Sequence, residues 1–146
     1  MSTLAEILET KGPIVHNTRP DATVFDAVEE MCRHRIGALV VGEIARPLGI
    51  LSERDILTRV ILKSLDPKTT SVKSVMTREL VYVELSVSPE EAMRVMTEHR
   101  CRHLPVVTDG RVVGVVSIGD LVRWVSRHHE FEIQWLSDYL LGRYPG

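Results

Sequence analysis

No apolar run in this chain approaches the roughly 18 residues that a helix needs to cross a bilayer, so no membrane span is expected. An excess of one charge is also lacking. The 18 basic and 20 acidic residues leave a net charge of −2, which gives no global reason to expect nucleic acid or an anionic membrane as partner. The opening residues, Met1-Ser2-Thr3-Leu4-Ala5-Glu6, lack the basic stretch and apolar core of a secretion leader. Cysteine is scarce, and Cys32 and Cys101 belong to no metal-type pair. Buried, reduced thiols in a cytoplasm are therefore expected in preference to a disulfide. What remains is an ordinary globular composition, 44% apolar over 146 residues, which suits one compact unit or two half-size lobes sharing a core.

Within that composition one phrase is written twice. Gly49-Ile50-Leu51-Ser52-Glu53-Arg54-Asp55-Ile56 and Gly114-Val115-Val116-Ser117-Ile118-Gly119-Asp120-Leu121 both read Gly, two apolar residues, Ser, any two residues, Asp, apolar. They stand 65 residues apart, and the spacing holds upstream without a gap: Ala27 pairs with Ala92, Met31 with Met96, His34 with His99, Arg35 with Arg100, Leu39 with Leu104 and Val41 with Val106. Such a repeat means two copies of one supersecondary unit, each too small to bury its own apolar face alone, so function is sought between the copies.

Each copy reads strand, helix, strand, strand, helix. In the second, Leu80-Val81-Tyr82-Val83 suits a strand, and Ser88-Pro89-Glu90-Glu91 opens a helix with Ser as cap and Pro at the first helical position. Leu104–Val107 is a strand whose Pro105 argues for an edge or bulge. Asp109-Gly110 turns it into Val112–Val116. In the first copy Thr23 caps a helix, Leu39–Val41 and Gly49–Leu51 are strands, and Arg46-Pro47 stands in the turn between them. The closing helices are expected at Ile56–Leu62 and Leu121–Val125. A smaller echo relates Leu4–Leu8 to Val72–Met76 as lead-ins, and the tail over 128–141 is amphipathic. The expected organisation is a first lobe over 4–64, a connection over 65–79, a second lobe over 80–127 and a tail over 128–146.

Ser and Asp three apart, where an apolar strand hands over to a helix, make a polar ledge at a helix N-terminus. Unpaired backbone N–H groups and the helix dipole favour an anion there. The Asp carboxylate only accepts hydrogen bonds, and the cis-diol of a ribose offers two donors. Phosphate at the Ser and ribose at the Asp describe a nucleotide. The plainer alternative is a helix cap. A cap needs one such residue rather than the whole phrase, so duplication of the phrase favours the ligand.

The doubled phrase, together with Arg102-His103-Leu104-Pro105-Val106-Val107, resembles a pair of cystathionine-β-synthase (CBS) domains, or Bateman module, over about Leu4 to Val125. The chain is most similar to stand-alone bacterial CBS-pair proteins. The resemblance implies an α+β fold of tandem β-α-β-β-α repeats about a pseudo-twofold axis, with a C-terminal helix added. It also implies two clefts binding AMP, ADP, ATP, NAD or S-adenosylmethionine, no catalysis and a homodimer. Carried over by position, one cleft uses Ser52 and Asp55 with Leu80 and Val81; Arg102 and His103 meet phosphate and serve either cleft, and Arg54 is a further phosphate contact. The other uses Ser117 and Asp120 with Val15, His16, Ile36, Gly37 and Ala38. Gly119 stands where the first copy has Arg54, so the clefts are expected to differ. An interaction protein acting through its dimer surface, with empty clefts, is the alternative function.

Other constellations carry less. His99, Cys101 and His103 alternate like ligands on a strand face but lack a carboxylate, so no metal site is expected. Ser52, Asp55 and His34 supply the residue types of a hydrolase triad without a nucleophile elbow. The basic runs at 33–35 and 99–103 fall at helix ends, where cations complement the dipole. Trp124 and Trp135 read as packing residues.

Overall fold

The computed structural model describes residues 2–128 and 140–142. After helix α1 (Leu4–Lys11), the first repeat runs β1 (Asn17–Thr18), α2 (Val24–His34), β2 (Ala38–Glu43), β3 (Arg46–Ser52) and α3 (Glu53–Ile56), which continues as a π-helix over Leu57–Ile61. A single helical turn, α4 (Val72–Val75), precedes the second repeat: β4 (Val83–Glu84), α5 (Pro89–His99), β5 (His103–Thr108), β6 (Arg111–Ser117) and α6 (Ile118–His128). Each repeat builds one three-stranded sheet, in the orders β1-β2-β3 and β4-β5-β6. The expected α+β order is met in both. Most of the expected tail helix, residues 129–139, lies outside the described residues.

The caps form where their residue types stand. Thr23 Oγ1 accepts from the Asp26 N–H at 3.1 Å and Ser88 Oγ from the Glu91 N–H at 3.1 Å, opening α2 and α5. Both helices end on an arginine in the left-handed region, Arg35 and Arg100, each with φ 54°. The repeat is thus kept in backbone conformation as well as in sequence.

Three expectations are corrected. The strand expected over Leu80–Val83 has only two paired residues, Val83 opposite Val106 and Glu84 opposite Val107, and β1 is equally short. Both are parallel edge strands that leave the sheet for the following helix. The β-formers Leu80 and Val81 are half-buried without joining the ladder, the environment that such propensity measures. The turn of the first hairpin is Ile44-Ala45 rather than Arg46-Pro47. Pro47 lies in β3 opposite Gly42, at a break in register where φ is 97° at Gly42. A proline has no N–H to give a ladder, so a break is where a strand tolerates one. Finally, the first closing helix begins at Glu53, because its cap is Ser52.

The chain divides into two compact units that cut across the repeats. One holds Met1–Ile14, Val81–Thr108 and Val113–Gly146; the other holds Val15–Leu80 and Asp109–Val112. Helix α1 therefore packs with the second repeat, where Leu4 and Ile7 join Met93, Met96, Leu104 and Leu121 in one core. Helix α4 packs with the first repeat, where Val72, Val75 and Met76 join Met31, Leu39, Leu51 and Val60. Helices of eight and four residues are unstable alone in water. Burial of each large apolar side chain, about 1.5–3 kcal/mol, is what holds them.

The glycine of the doubled phrase makes room for these lead-ins. A Cβ on Gly114 would stand 2.6 Å from Leu8 Cδ2, and one on Gly49 would stand 2.5 Å from the Thr77 carbonyl oxygen. Thr77 is held there by paired backbone bonds with Ile50, 2.9 Å in each direction.

Candidate functional site: the doubled strand-to-helix corners

Each phrase folds into a corner whose Asp is buried, Asp55 at 6% exposure and Asp120 at 7%. In the first, the Asp55 N–H donates to Ser52 Oγ at 3.3 Å while the Ser52 N–H donates to Asp55 Oδ2 at 3.0 Å. In the second, the Asp120 N–H donates to Ser117 Oγ at 3.2 Å and the Ser117 N–H to Asp120 Oδ2 at 2.9 Å. These are reciprocal capping boxes, with Asp in the place of the usual Glu. The box uses both residues of the phrase, so folding alone accounts for the pairing of Ser with Asp. The next N–H is also taken: Glu53 donates to the Gly37 carbonyl at 3.0 Å and Ile118 to the Arg102 carbonyl at 2.9 Å. The unpaired donors expected at these helix starts are thus largely consumed by cap and strand.

The two corners differ in what meets the remaining carboxylate oxygens. Asp55 Oδ1 accepts from the Thr77 hydroxyl at 2.9 Å, with Arg59 Nε 3.9 Å away. Asp120 is held by two cations, Lys11 Nζ at 2.9 Å on Oδ2 and Arg123 at 2.6 Å on Oδ1. Lys11 also donates to the Val115 carbonyl at 2.7 Å. Thr77 and Lys11 follow the two lead-ins, so each lead-in supplies a partner to the Asp it packs beside. Sequence reasoning missed both. The signal was the echo of Leu4–Leu8 in Val72–Met76, followed one turn further.

Burial opposes the charge of Asp120, but the Lys11 bond and the Ser117 N–H outweigh it and hold this carboxyl below its ordinary range. The imidazole of His103 is also held below its usual value, by burial and then by the charge of Lys11 and Arg102 against the pull of Asp120. It is therefore neutral at pH 7 and offers a hydrogen bond, not the positive charge expected of it. Burial raises the Cys101 thiol. Cys32, expected to be buried, is exposed; both cysteines are free.

The expected ligand residues fall in both units. Val15, His16, Ile36, Gly37, Ala38, Ser52, Arg54, Asp55 and Leu80 are in one, and Val81, Arg102, His103, Ser117 and Asp120 in the other. Within the first, Ala38 lies opposite Ser52 across the β2–β3 ladder, beside the Gly37 carbonyl that receives Glu53. Within the second, Arg102 and His103 stand at the Ser117 corner. Arg54 and Arg102 are exposed.

The CBS domain family pattern matches residues 13–62 and 72–127. The chain belongs to the CBS-domain family. It is 39% identical over 154 aligned residues to the mitochondrial CBS domain-containing protein CBSX3 of Arabidopsis thaliana, covering 98% of this chain and 74% of the relative. A solved CBS-domain protein of Burkholderia ambifaria is 39% identical with a TM-score of 0.83, over 88% of this chain and 97% of the other. The crystal structure of Hypoxic Response Protein I, with two coordinated zinc ions, is 32% identical with a TM-score of 0.69, over 85% and 99%. The expected CBS-pair fold is therefore met, in its repeat as in its sheets.

The ion pair at Asp120 carries an expectation for acid. Because the folded Asp120 carboxyl lies below its ordinary value of about 3.9, its stabilisation is complete above that value and is lost as pH falls through the folded one. Replacing Lys11 by Met removes the main opposing charge. The gap in melting temperature between wild type and Lys11→Met is expected to be widest above pH 5 and to narrow below about pH 4. A gap constant from pH 7 to pH 3 would rule out the ion pair as its source.

Proposed function

We propose that this CBS pair is a regulatory module without catalysis of its own. It binds an adenosine-containing ligand, AMP, ADP, ATP, NAD or S-adenosylmethionine, at its doubled corners. The observation that carries this reading is the buried carboxylate at the same place in both repeats. The residues proposed to serve this binding are Ser52, Arg54, Asp55, Leu80 and Val81 for the first corner's ligand, and Ser117, Asp120, Val15, His16, Ile36, Gly37 and Ala38 for the second's. Arg102 and His103 serve the phosphates, with Arg102 carrying the charge. A ribose diol at Asp55 exchanges one hydroxyl donor for another, because the partner already there is Thr77. At Asp120 it must displace charge-assisted bonds from Lys11 and Arg123, which are about twice as strong. The Asp55 site therefore fills first. Ligand that tethers one packing arrangement biases it, and a regulated partner reads the difference.

The active form is a homodimer. Leu57, Ile61 and Leu62 are 59%, 57% and 76% exposed along the first closing helix. The second closing helix instead buries Leu121, Trp124 and Val125 in its own core. Leu57→Asp with Ile61→Asp is expected to yield a folded monomer by light scattering, and an unchanged mass would move the interface elsewhere. No helix among the described residues is long and apolar enough to cross a membrane. The free thiols, Cys32 exposed, support a reducing cytoplasm.

A second reading is an interaction protein with empty clefts. It is favoured by the capping boxes, which account for the doubled phrase without ligand. Calorimetry of the untagged protein with each of the five ligands separates the two: saturable binding with a site-dependent affinity supports the sensor, and no heat with any of them supports the interaction protein.

A further inference from the structure

We propose that His16, Glu30 and His34 form a site for a divalent transition metal of the zinc class, which shares only His16 with the nucleotide reading. All three lie in one compact unit, half-buried, and one ligand atom from each lies within 4.8 Å of the other two. Among the described residues this is the one group of three metal-ligating side chains so placed. The set His99, Cys101 and His103, which the sequence puts forward, does not form such a group.

The fold brings the three together. Glu30 and His34 are one turn apart on α2, and Glu30 Oε1 already lies 3.0 Å from His34 Nε2. Its other oxygen, Oε2, is taken by Arg33 at 2.8 Å, which turns Oε1 toward the histidines. His16 stands immediately before β1, and its carbonyl accepts from the Val40 N–H at 3.4 Å, so the sheet edge anchors its backbone. Its ring stacks on that of His34, with centroids 3.8 Å apart and planes at 21°.

Two imidazoles and a carboxylate are the donor set of zinc sites that keep a fourth position open for water or a ligand. Bonds of 2.0–2.1 Å at tetrahedral angles set ligand atoms about 3.3 Å apart. The Glu30–His34 separation needs almost no change to meet this. Ring lone pairs lie in the ring planes, so the stacked pair must splay for both nitrogens to converge on one ion. Imidazole nitrogen suits zinc, copper, nickel and iron, whereas magnesium and calcium prefer oxygen alone.

The test uses untagged protein, stripped with chelator and titrated with zinc against a chromophoric competitor. Wild type is expected to take one tight equivalent per chain. The His34→Ala and Glu30→Gln variants should each weaken it by at least about tenfold. Cys32→Ser and His99→Ala, which alter an exposed thiol and an exposed imidazole outside the cluster, should leave it unchanged. Ring resonances of both His16 and His34 should move on zinc addition in wild type. Thermal melts without metal establish that each variant is folded. No tight equivalent in wild type overturns the site, as does zinc binding that survives a His16→Ala, His34→Ala double substitution. The nucleotide calorimetry is run on chelator-stripped wild type, so either reading can fail while the other stands.

Discussion

Gly49→Ala is expected to lower the melting temperature by roughly 5–10 °C, a loss of about 2–3 kcal/mol for a chain of this size. The new methyl would stand 2.5 Å from the Thr77 carbonyl oxygen and 3.0 Å from Met76 Sδ. The oxygen cannot retreat by rotating, because Thr77 is bridged to Ile50 through both its N–H and its C=O. Thr77 also carries the hydroxyl bonded to Asp55, so any retreat disturbs the corner as well. Gly114→Ala meets Leu8 at 2.6 and 2.8 Å, but these are the ends of a flexible side chain. Its cost should be smaller, about 1 kcal/mol. Matched thermal melts decide the matter. Equal losses in the two variants would show that the backbone of the lead-in yields as readily as a leucine side chain.

Asp55→Ala is expected to weaken adenylate binding at its own site by about tenfold to a hundredfold, because a charge-assisted hydrogen bond contributes roughly 1.5–3 kcal/mol. Asp120→Ala should do the same at the second site. The buried carboxylates also cap helices, so both substitutions cost stability. Truncating Asp55 strands the Ser52 N–H and the Thr77 hydroxyl, a penalty of about 1–3 kcal/mol. Affinity must therefore be measured by calorimetry well below each variant's melting point. Ser52→Ala is a useful companion: it removes one side of the box and leaves the carboxylate in place. If it destabilises while nucleotide affinity persists, and Asp55→Ala loses both, the carboxylate has a role beyond the cap. Unchanged affinity in both Asp variants would remove the assignment and leave the interaction-protein reading.

Much of this architecture was legible in the sequence because its signals are local. Thr23, Ser52, Ser88 and Ser117 each cap the helix that follows them. Asp109 and Gly110, with φ of 53° and 76°, make the turn that their residue types demand. The one misplaced turn was readable too. Counting 65 residues back from Asp109-Gly110 lands on Ile44-Ala45, but the proline of Arg46-Pro47 is the louder signal and drew the turn two residues too far. The capping box was the subtler lesson, since Ser and Asp three apart satisfy one another before any ligand is considered.

The 65-residue repeat, the caps, the alternation of strand and helix and the family all follow from the sequence by itself, since periodicity and side-chain chemistry act within a few residues. Tertiary packing alone decided which lead-in docks on which repeat, which glycine faces a backbone oxygen and which a side chain, and why Asp55 meets a hydroxyl while Asp120 meets two cations. It also decided that His16 meets His34. The reason is that Leu4–Leu8 and Val72–Met76 present nearly interchangeable apolar faces, and only the competition of long-range burial for one core or the other distinguishes their destinations.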